Sequence, residues 1–233
     1  MTDRGASAPL DVVYLVRAGD ENEELRYSLR SLRNVAHGRV WIVGHKPRWV
    51  AGCEHLPLRQ ASNKWANTLA GLLAACTHPD LRIFQLWNDD FYALRPTTVP
   101  LWHLGPVVPT RHGGPGKSHV EGRDATYRLL RSWGFDEVLD YAVHVPTIVD
   151  SQKMADALKR AGNGITALHR RTLYGNLYQI GGTQVKDVSI GNRRDIWPEG
   201  AEWVSTNDRS FKDGAVGKAL RELFADSSPY EES

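Results

Sequence analysis

Three short β-branched runs, separated by stretches of helical spacing, constrain this chain more than any other feature. Residues 11–17 (DVVYLVR), 39–44 (RVWIVG) and 82–87 (RIFQLW) predict buried strands. Between the first two, Asp20 predicts a helix N-cap, with Glu23 three residues later closing a capping box. Leu25, Leu29 and Leu32 then follow at helical spacing. Gly44 and Pro47 stop the second strand. Ser62 predicts the cap of a second helix carrying Trp65, Leu69, Leu72, Leu73 and Cys76. Strand, helix, strand, helix, strand is the order of an α/β fold, a mostly parallel sheet with crossover helices. Ligands of such sheets bind beyond the carboxyl ends of the strands, where Asn88, Asp89 and Asp90 follow the third run.

The second half is less regular. Residues 105–124 are rich in Gly, Pro, His and charge and predict a mobile surface loop or lid. Helices are expected over 124–133, over 151–161 up to Gly162, and over 214–224 with Val216, Leu220, Leu223 and Phe224. Short strands are expected at 184–190 and 201–205. At 233 residues, with no linker or repeat visible, a single domain over 1–233 is the simpler expectation.

Composition removes several function classes. Lys plus Arg is 29 against 27 for Asp plus Glu, a net charge of +2 that excludes a polybasic protein but not a local phosphate site. Two cysteines, Cys53 and Cys76, build neither a disulfide framework nor a four-cysteine zinc site, and fit a reducing compartment. Residues 1–9 lack an apolar core and the apolar runs are too short for a membrane span, so the expected location is the cytoplasm. The eight tryptophans serve packing, or some of them stack on a sugar or base.

Four sites carry candidate chemistry. Asp89 and Asp90 are adjacent carboxylates after a buried strand: either a solvated turn, or a pair that shares Mg²⁺ with substrate phosphates. His144, before Val145-Pro146, is a packed side chain or a general base. His169, Arg170 and Arg171 form a basic cluster, an exposed helix face or a grip on phosphate oxygens. Asn207-Asp208-Arg209 repeats the polar strand-end pattern or is a turn. GGPGKS (113–118) fails as a phosphate loop, because Arg111 stands where a glycine is required and no apolar strand leads into it. It leaves Lys117 as a cation able to close over a phosphate. The basic stretch from Arg111 to Arg131 is all that speaks for nucleic acid.

In this order the pieces resemble the Stealth family of sugar-phosphate transferases, over about residues 11–231. Asp11-Val12-Val13-Tyr14 is similar to its opening strand motif, and Glu24-Leu25-Arg26-Tyr27-Ser28-Leu29-Arg30-Ser31 closely matches its second region, which Asn88-Asp89-Asp90 closes. His144-Val145-Pro146 resembles the third region. Asn207-Asp208, Phe224 and Ser228-Pro229-Tyr230-Glu231 resemble the fourth. The RAGDENEELRYSLRSL and SNKWAN segments also look like short actinobacterial-phage proteins labelled glycosyltransferases. The chain departs from the family pattern at Ala18, at Gly44-His45-Lys46 and at Lys64-Trp65-Ala66, where a family glutamate is missing.

The resemblance implies a GT-A-like nucleotide-sugar transferase core in the cytoplasm of a bacterium or phage-infected host. It implies a nucleotide-diphosphate sugar as donor and Mg²⁺ or Mn²⁺ as cofactor. The acceptor is a hydroxyl of a glycan, a protein or modified nucleic acid. Asp89, Asp90 and Asp208 would hold the metal, His144 would be the base, and Arg170 or Arg171 would hold the transferring phosphate. Asp11, Arg26, Arg30, Asn63, Lys64, Asn88, Asn207 and Lys117 would bind substrate. The reaction that the resemblance implies moves sugar-1-phosphate. Two alternatives stand beside it: a glycosyltransferase that moves the sugar alone, and a binding module without catalysis.

Overall fold

The computed structural model describes residues 8–19, 21–109, 117–162 and 167–232. In chain order the strands are β1 (Asp11–Val16), β2 (Val40–Gly44), β3 (Glu54–Pro57), β4 (Ile83–Trp87), β5 (Phe91–Ala93), β6 (Trp102–His103), β7 (Thr147–Asp150), β8 (Thr183–Gln184), β9 (Ser189–Ile190) and β10 (Trp203–Thr206). The helices are α1 (Glu23–Ser31), α2 (Lys64–Thr77), α3 (Lys117–Ser132), α4 (Ser151–Ala161), α5 (Arg170–Leu177), α6 (Asp208–Asp213) and α7 (Ala215–Leu223).

The main sheet runs β3-β2-β1-β4-β7, parallel except for β7, so the fold is α/β with a mostly parallel sheet. β1 lies at its centre, with Val13 opposite Trp41 on one side and Leu86 on the other. Val12, Val13 and Tyr14 are wholly buried because both faces of the sheet are covered, which is why β1 reads as an unbroken apolar run. On one face Val13, Val43 and Leu86 pack with Leu72 of α2 and Met154 of α4. On the other Val12, Tyr14 and Ile42 pack with Leu25 and Leu29 of α1 and with Trp203 of β10. A third cluster joins Tyr92 and Val204 of the small β5-β10-β9 sheet to Phe211, Val216, Leu220 and Phe224. Among the described residues no helix is long and apolar enough to cross a membrane.

Several expected boundaries move. Asp20 lies outside the described residues, and α1 starts behind Asn22, which sits at a left-handed φ of 41° without a side-chain cap. Glu23 is therefore the first helical residue, two residues too early to close a capping box, and it pairs with Arg221 at 2.8 Å instead. The cap of α2 is Asn63 rather than Ser62, its Oδ1 accepting from the Trp65 and Ala66 amides. Helix α3 begins at Lys117, inside the stretch expected to be a loop. Gly122 hides that helix from pattern reading. It is there because a Cβ would strike the Ala167 carbonyl, so α3 passes its neighbour backbone to backbone. At the other end of the expected loop, Val107 donates its N–H to Val138 at 2.7 Å, which ties the segment down. Residues 110–116 lie outside the described residues. The expected strand 184–190 is two two-residue strands, β8 on β6 and β9 on β10, interrupted by Asp187. The helix expected over 214–224 is α7.

Candidate functional site

The parallel strands end where the chemistry collects. A pocket of about 420 Å³ opens at the carboxyl ends of β1, β2 and β4. Its lining combines an apolar set (Leu15, Val43, Leu58, Leu72, Leu86) with Arg17, Asn88, Asp89 and Asp90 from the strand ends. The second half contributes His119, His144, His169, Arg170 and Arg171. Gly44 permits the strand end its shape. Its φ is +105°, and a Cβ there would strike the Val16 carbonyl.

The carboxylates are crowded. Burial raises Asp89 above the ordinary carboxylate range, with Arg17 pulling it down and Asp208 pushing it up. Burial and the Asp89 charge lift Asp90 to about 7, against the pull of His144 and Arg171. Burial, then Asp89 and Asp90, lift Glu24 of α1 to about 8, although the Thr206 hydroxyl donates to it at 3.0 Å. Among the described residues Asp90 Oδ1 is buried with no hydrogen-bond partner, and Ser205 Oγ donates to its other oxygen at 3.4 Å. Like charges held this way call for a cation.

Among the described residues no three His, Cys, Asp or Glu side chains converge closely enough to enclose a metal. Mg²⁺ commonly takes one or two carboxylates and completes its shell with water and substrate phosphates. The unpartnered Asp90 oxygen and its neighbour Asp89 fit that habit. Asp208 is 3.1 Å from Arg17 and 80% exposed, so it reaches the pair only through its charge.

Opposite the carboxylates, His144 Nδ1 lies 2.7 Å from Asp187 Oδ2, and the His144 amide donates to Asp187 Oδ1 at 3.0 Å. Burial works to raise Asp187. The hydrogen bonds from His144 and from the Val188 amide outweigh it, and the carboxyl sits below its ordinary value. Arg171 Nη1 donates to the carbonyls of Val143 and Val145 at 2.8 Å each. Arg170 donates to the Trp65 carbonyl at 2.8 Å, while its Nε is buried without a partner. Burial lowers Arg170 to about 10, and among the described residues no carboxylate pairs with it. His169 Nε2 faces the His119 carbonyl at 3.0 Å; burial, aided by His119, lowers His169 to about 4, so it is neutral.

No family model matches the chain. No curated protein matches it either. Among solved structures the chain is similar to 2-C-methyl-D-erythritol 4-phosphate cytidylyltransferase from Thermus thermophilus, at 14% identity and a TM-score of 0.35, over 93% of this chain and 98% of that one. At that distance the likeness says nothing of activity.

Of the residues expected at the site, the pocket brings together Lys64, Asn88, Asp89, Asp90, His144, Arg170 and Arg171. Others lie elsewhere, each for a local reason. Asp11 starts β1, at the end away from the pocket, and accepts from the Arg39 amide and guanidinium and from Trp41 Nε1. Arg30 is turned to Glu231, with two bonds of 2.7 Å, and donates to the carbonyls of Phe224 and Ala225. Arg26 lies over the Trp49 ring, 3.8 Å from Glu231. Asn63 and Asn207 are helix caps, Asn207 in a reciprocal pair with Ser210. Lys117 opens α3, and its side chain lies outside what is described. Three residues went unread. Arg17 follows β1 directly and was open to the same strand-end rule that found Asn88. Glu24 and Asp187 carry no local signal, since their partners are 182 and 43 residues away.

Proposed function

We propose that this chain is a nucleotide-sugar-dependent transferase that moves a sugar-1-phosphate from a nucleotide-diphosphate sugar to an acceptor hydroxyl. One observation carries the reading: Asp89 and Asp90, half-buried, with one Asp90 oxygen buried and unpartnered, share a pocket with a carboxylate-bound histidine and a buried arginine that pairs with no carboxylate among the described residues. Charge of both signs facing one cavity suits a pyrophosphate better than a neutral substrate. Mg²⁺ or Mn²⁺ on Asp89 and Asp90 would supply neutralisation of the pyrophosphate charge.

The protein's own groups do the rest. Arg170, which pairs with no carboxylate among the described residues, turns its guanidinium charge toward the oxygens of the transferring phosphate. His144 takes the proton of the acceptor hydroxyl at Nε2 as that oxygen bonds to the sugar-side phosphorus. The bond from this phosphorus to the bridging oxygen breaks, and its electron pair leaves with the nucleoside monophosphate. Positioning and charge dominate such transfers. The apolar lining keeps bulk water from competing with the acceptor.

The test is a panel of nucleotide sugars with Mg²⁺ or Mn²⁺, reading which nucleotide is released. Monophosphate is the expected product, lost in Asp89→Ala and His144→Ala while the fold persists. Diphosphate would replace this reading with glycosyl transfer. Calorimetric binding without turnover would replace it with a binding module.

A further inference from the structure

We propose that Asp187 is the positioning residue of the base: it fixes the His144 ring in the tautomer protonated on Nδ1, leaving Nε2 bare for the acceptor hydroxyl. The proposal rests on His144 being the base of the reaction above. An ionised carboxylate can only accept, so the 2.7 Å contact requires Nδ1 to carry the proton. The same carboxylate also accepts from the His144 backbone amide at 3.0 Å and from Val188 at 2.9 Å. Asp187 thus holds ring and backbone together and is itself held.

Two further groups close the brace. Arg171 grips the carbonyls on both sides of His144. Phe91, which directly follows Asp90, stands edge-on to the imidazole at 6.3 Å and 86°. Among the described residues nothing bonds Nε2. The pair is about one third exposed on each side, and an ion pair so placed adds little to stability. Fold stability alone is a poor reason for fixing one half-buried ring and the backbone that carries it at so many points. Orientation is a good one, because a base must meet its proton at hydrogen-bond distance with the correct nitrogen free.

The near-isosteric variant Asp187→Asn separates the two roles. The amide can donate to Nδ1 and so reverses the tautomer, as an Asp-to-Asn change does in a Ser-His-Asp triad. Long-range ¹H–¹⁵N spectra of ¹⁵N-histidine protein, at about pH 8.5 where imidazoles are neutral, read the tautomer directly. In the wild type His144 should be protonated at Nδ1, and in Asp187→Asn at Nε2. Turnover should fall by about 10²–10⁴-fold in kcat, with donor KM within about threefold and an unchanged melting midpoint. Asp187→Glu should restore part of kcat and the Nδ1 proton. Wild-type protonation at Nε2, or wild-type kcat in Asp187→Asn, would overturn the proposal. The spectra need no turnover, so a wild type that processes no nucleotide sugar would sink the proposed function while the tautomers still judge Asp187.

Discussion

At the residue scale, the acidic cluster makes stability depend on pH in a definite direction. Glu24, lifted to about 8, and Asp90, lifted to about 7, hold protons in the folded protein that the unfolded chain has already released. The folded state binds more protons, so stability falls as pH rises through these values. His119 and His169 act in a different window. Burial depresses both, so their contribution is lost only as pH drops below the ordinary imidazole value. Between about pH 6.5 and 8.5 the carboxylates dominate, joined at the alkaline end by the Cys53 and Cys76 thiols, which burial lifts to about 12; a loss on the order of 1 kcal/mol corresponds to about 2–4 °C for a chain of this size. The melting midpoint of metal-free protein should therefore fall across that range. Glu24→Gln keeps an acceptor for Thr206 but removes the charge, so it should flatten the slope and melt higher at the alkaline end. An unchanged slope in that variant would show that Glu24 is ionised without cost. None of this was legible from Glu24 in its helix. The three carboxylates come from positions 24, 89 and 90, and only α1 lying against β5 joins them. Asn88-Asp89-Asp90 was legible because strand ends in a parallel sheet have one known use.

At the scale of elements, sequence reading succeeded where an element's own residues determine it. β1, β2, β4, α4 and α7 lie close to their expected bounds, since each carries an apolar period of its own. It failed where a distant group decides: the first turns of α3 carry Gly122 because the Ala167 carbonyl leaves no room for a Cβ, and 184–190 is broken where Asp187 grips His144. Arg30 shows the same limit. The resemblance places Arg30 with Arg26 at the substrate, but the C-terminal segment returns to α1 and claims it. Glu231 is itself held by the Ser228 amide and hydroxyl. The Arg30 and Glu231 side chains are 9% and 6% exposed, so removing one partner leaves the other charged and buried. Such a loss costs about 3–5 kcal/mol, with Arg26 nearby favouring the lower end. Arg30→Met should melt about 6–12 °C lower at 2–4 °C per kcal/mol, with donor KM unchanged. A normal melting midpoint with a raised donor KM would return Arg30 to the binding site.

At the scale of the whole molecule, the net charge of +2 conceals a division. If every expected residue met at one site, Asp89, Asp90 and Asp208 and the arginines at 26, 30, 170 and 171 would be its opposing halves. Arg170 and Arg171 do share a pocket with Asp89 and Asp90, whereas Arg26 and Arg30 face Glu231 and Asp208 is held by Arg17. The pocket wall runs from Leu15 in the first strand to Thr172 in α5, and Arg170 reaches across to the Trp65 carbonyl at the start of α2. A ligand bound there touches both halves of the chain and should stabilise the molecule as a unit. At a hundredfold excess over Kd, binding adds about 2.7 kcal/mol, or about 5–10 °C in the melting midpoint. Donor and cation should also depend on each other. The carboxylates repel a pyrophosphate until a cation lies between them, and the cation lacks oxygens until the pyrophosphate supplies them. A nucleotide-diphosphate sugar with Mg²⁺ should thus raise the midpoint by more than the two separate shifts added together. In Asp90→Asn, which removes a charge facing the pyrophosphate, that excess should vanish while the small shift from donor alone persists or grows. Additive shifts in the wild type, or the same excess in Asp90→Asn, would show that no cation bridges donor and protein at this sheet edge.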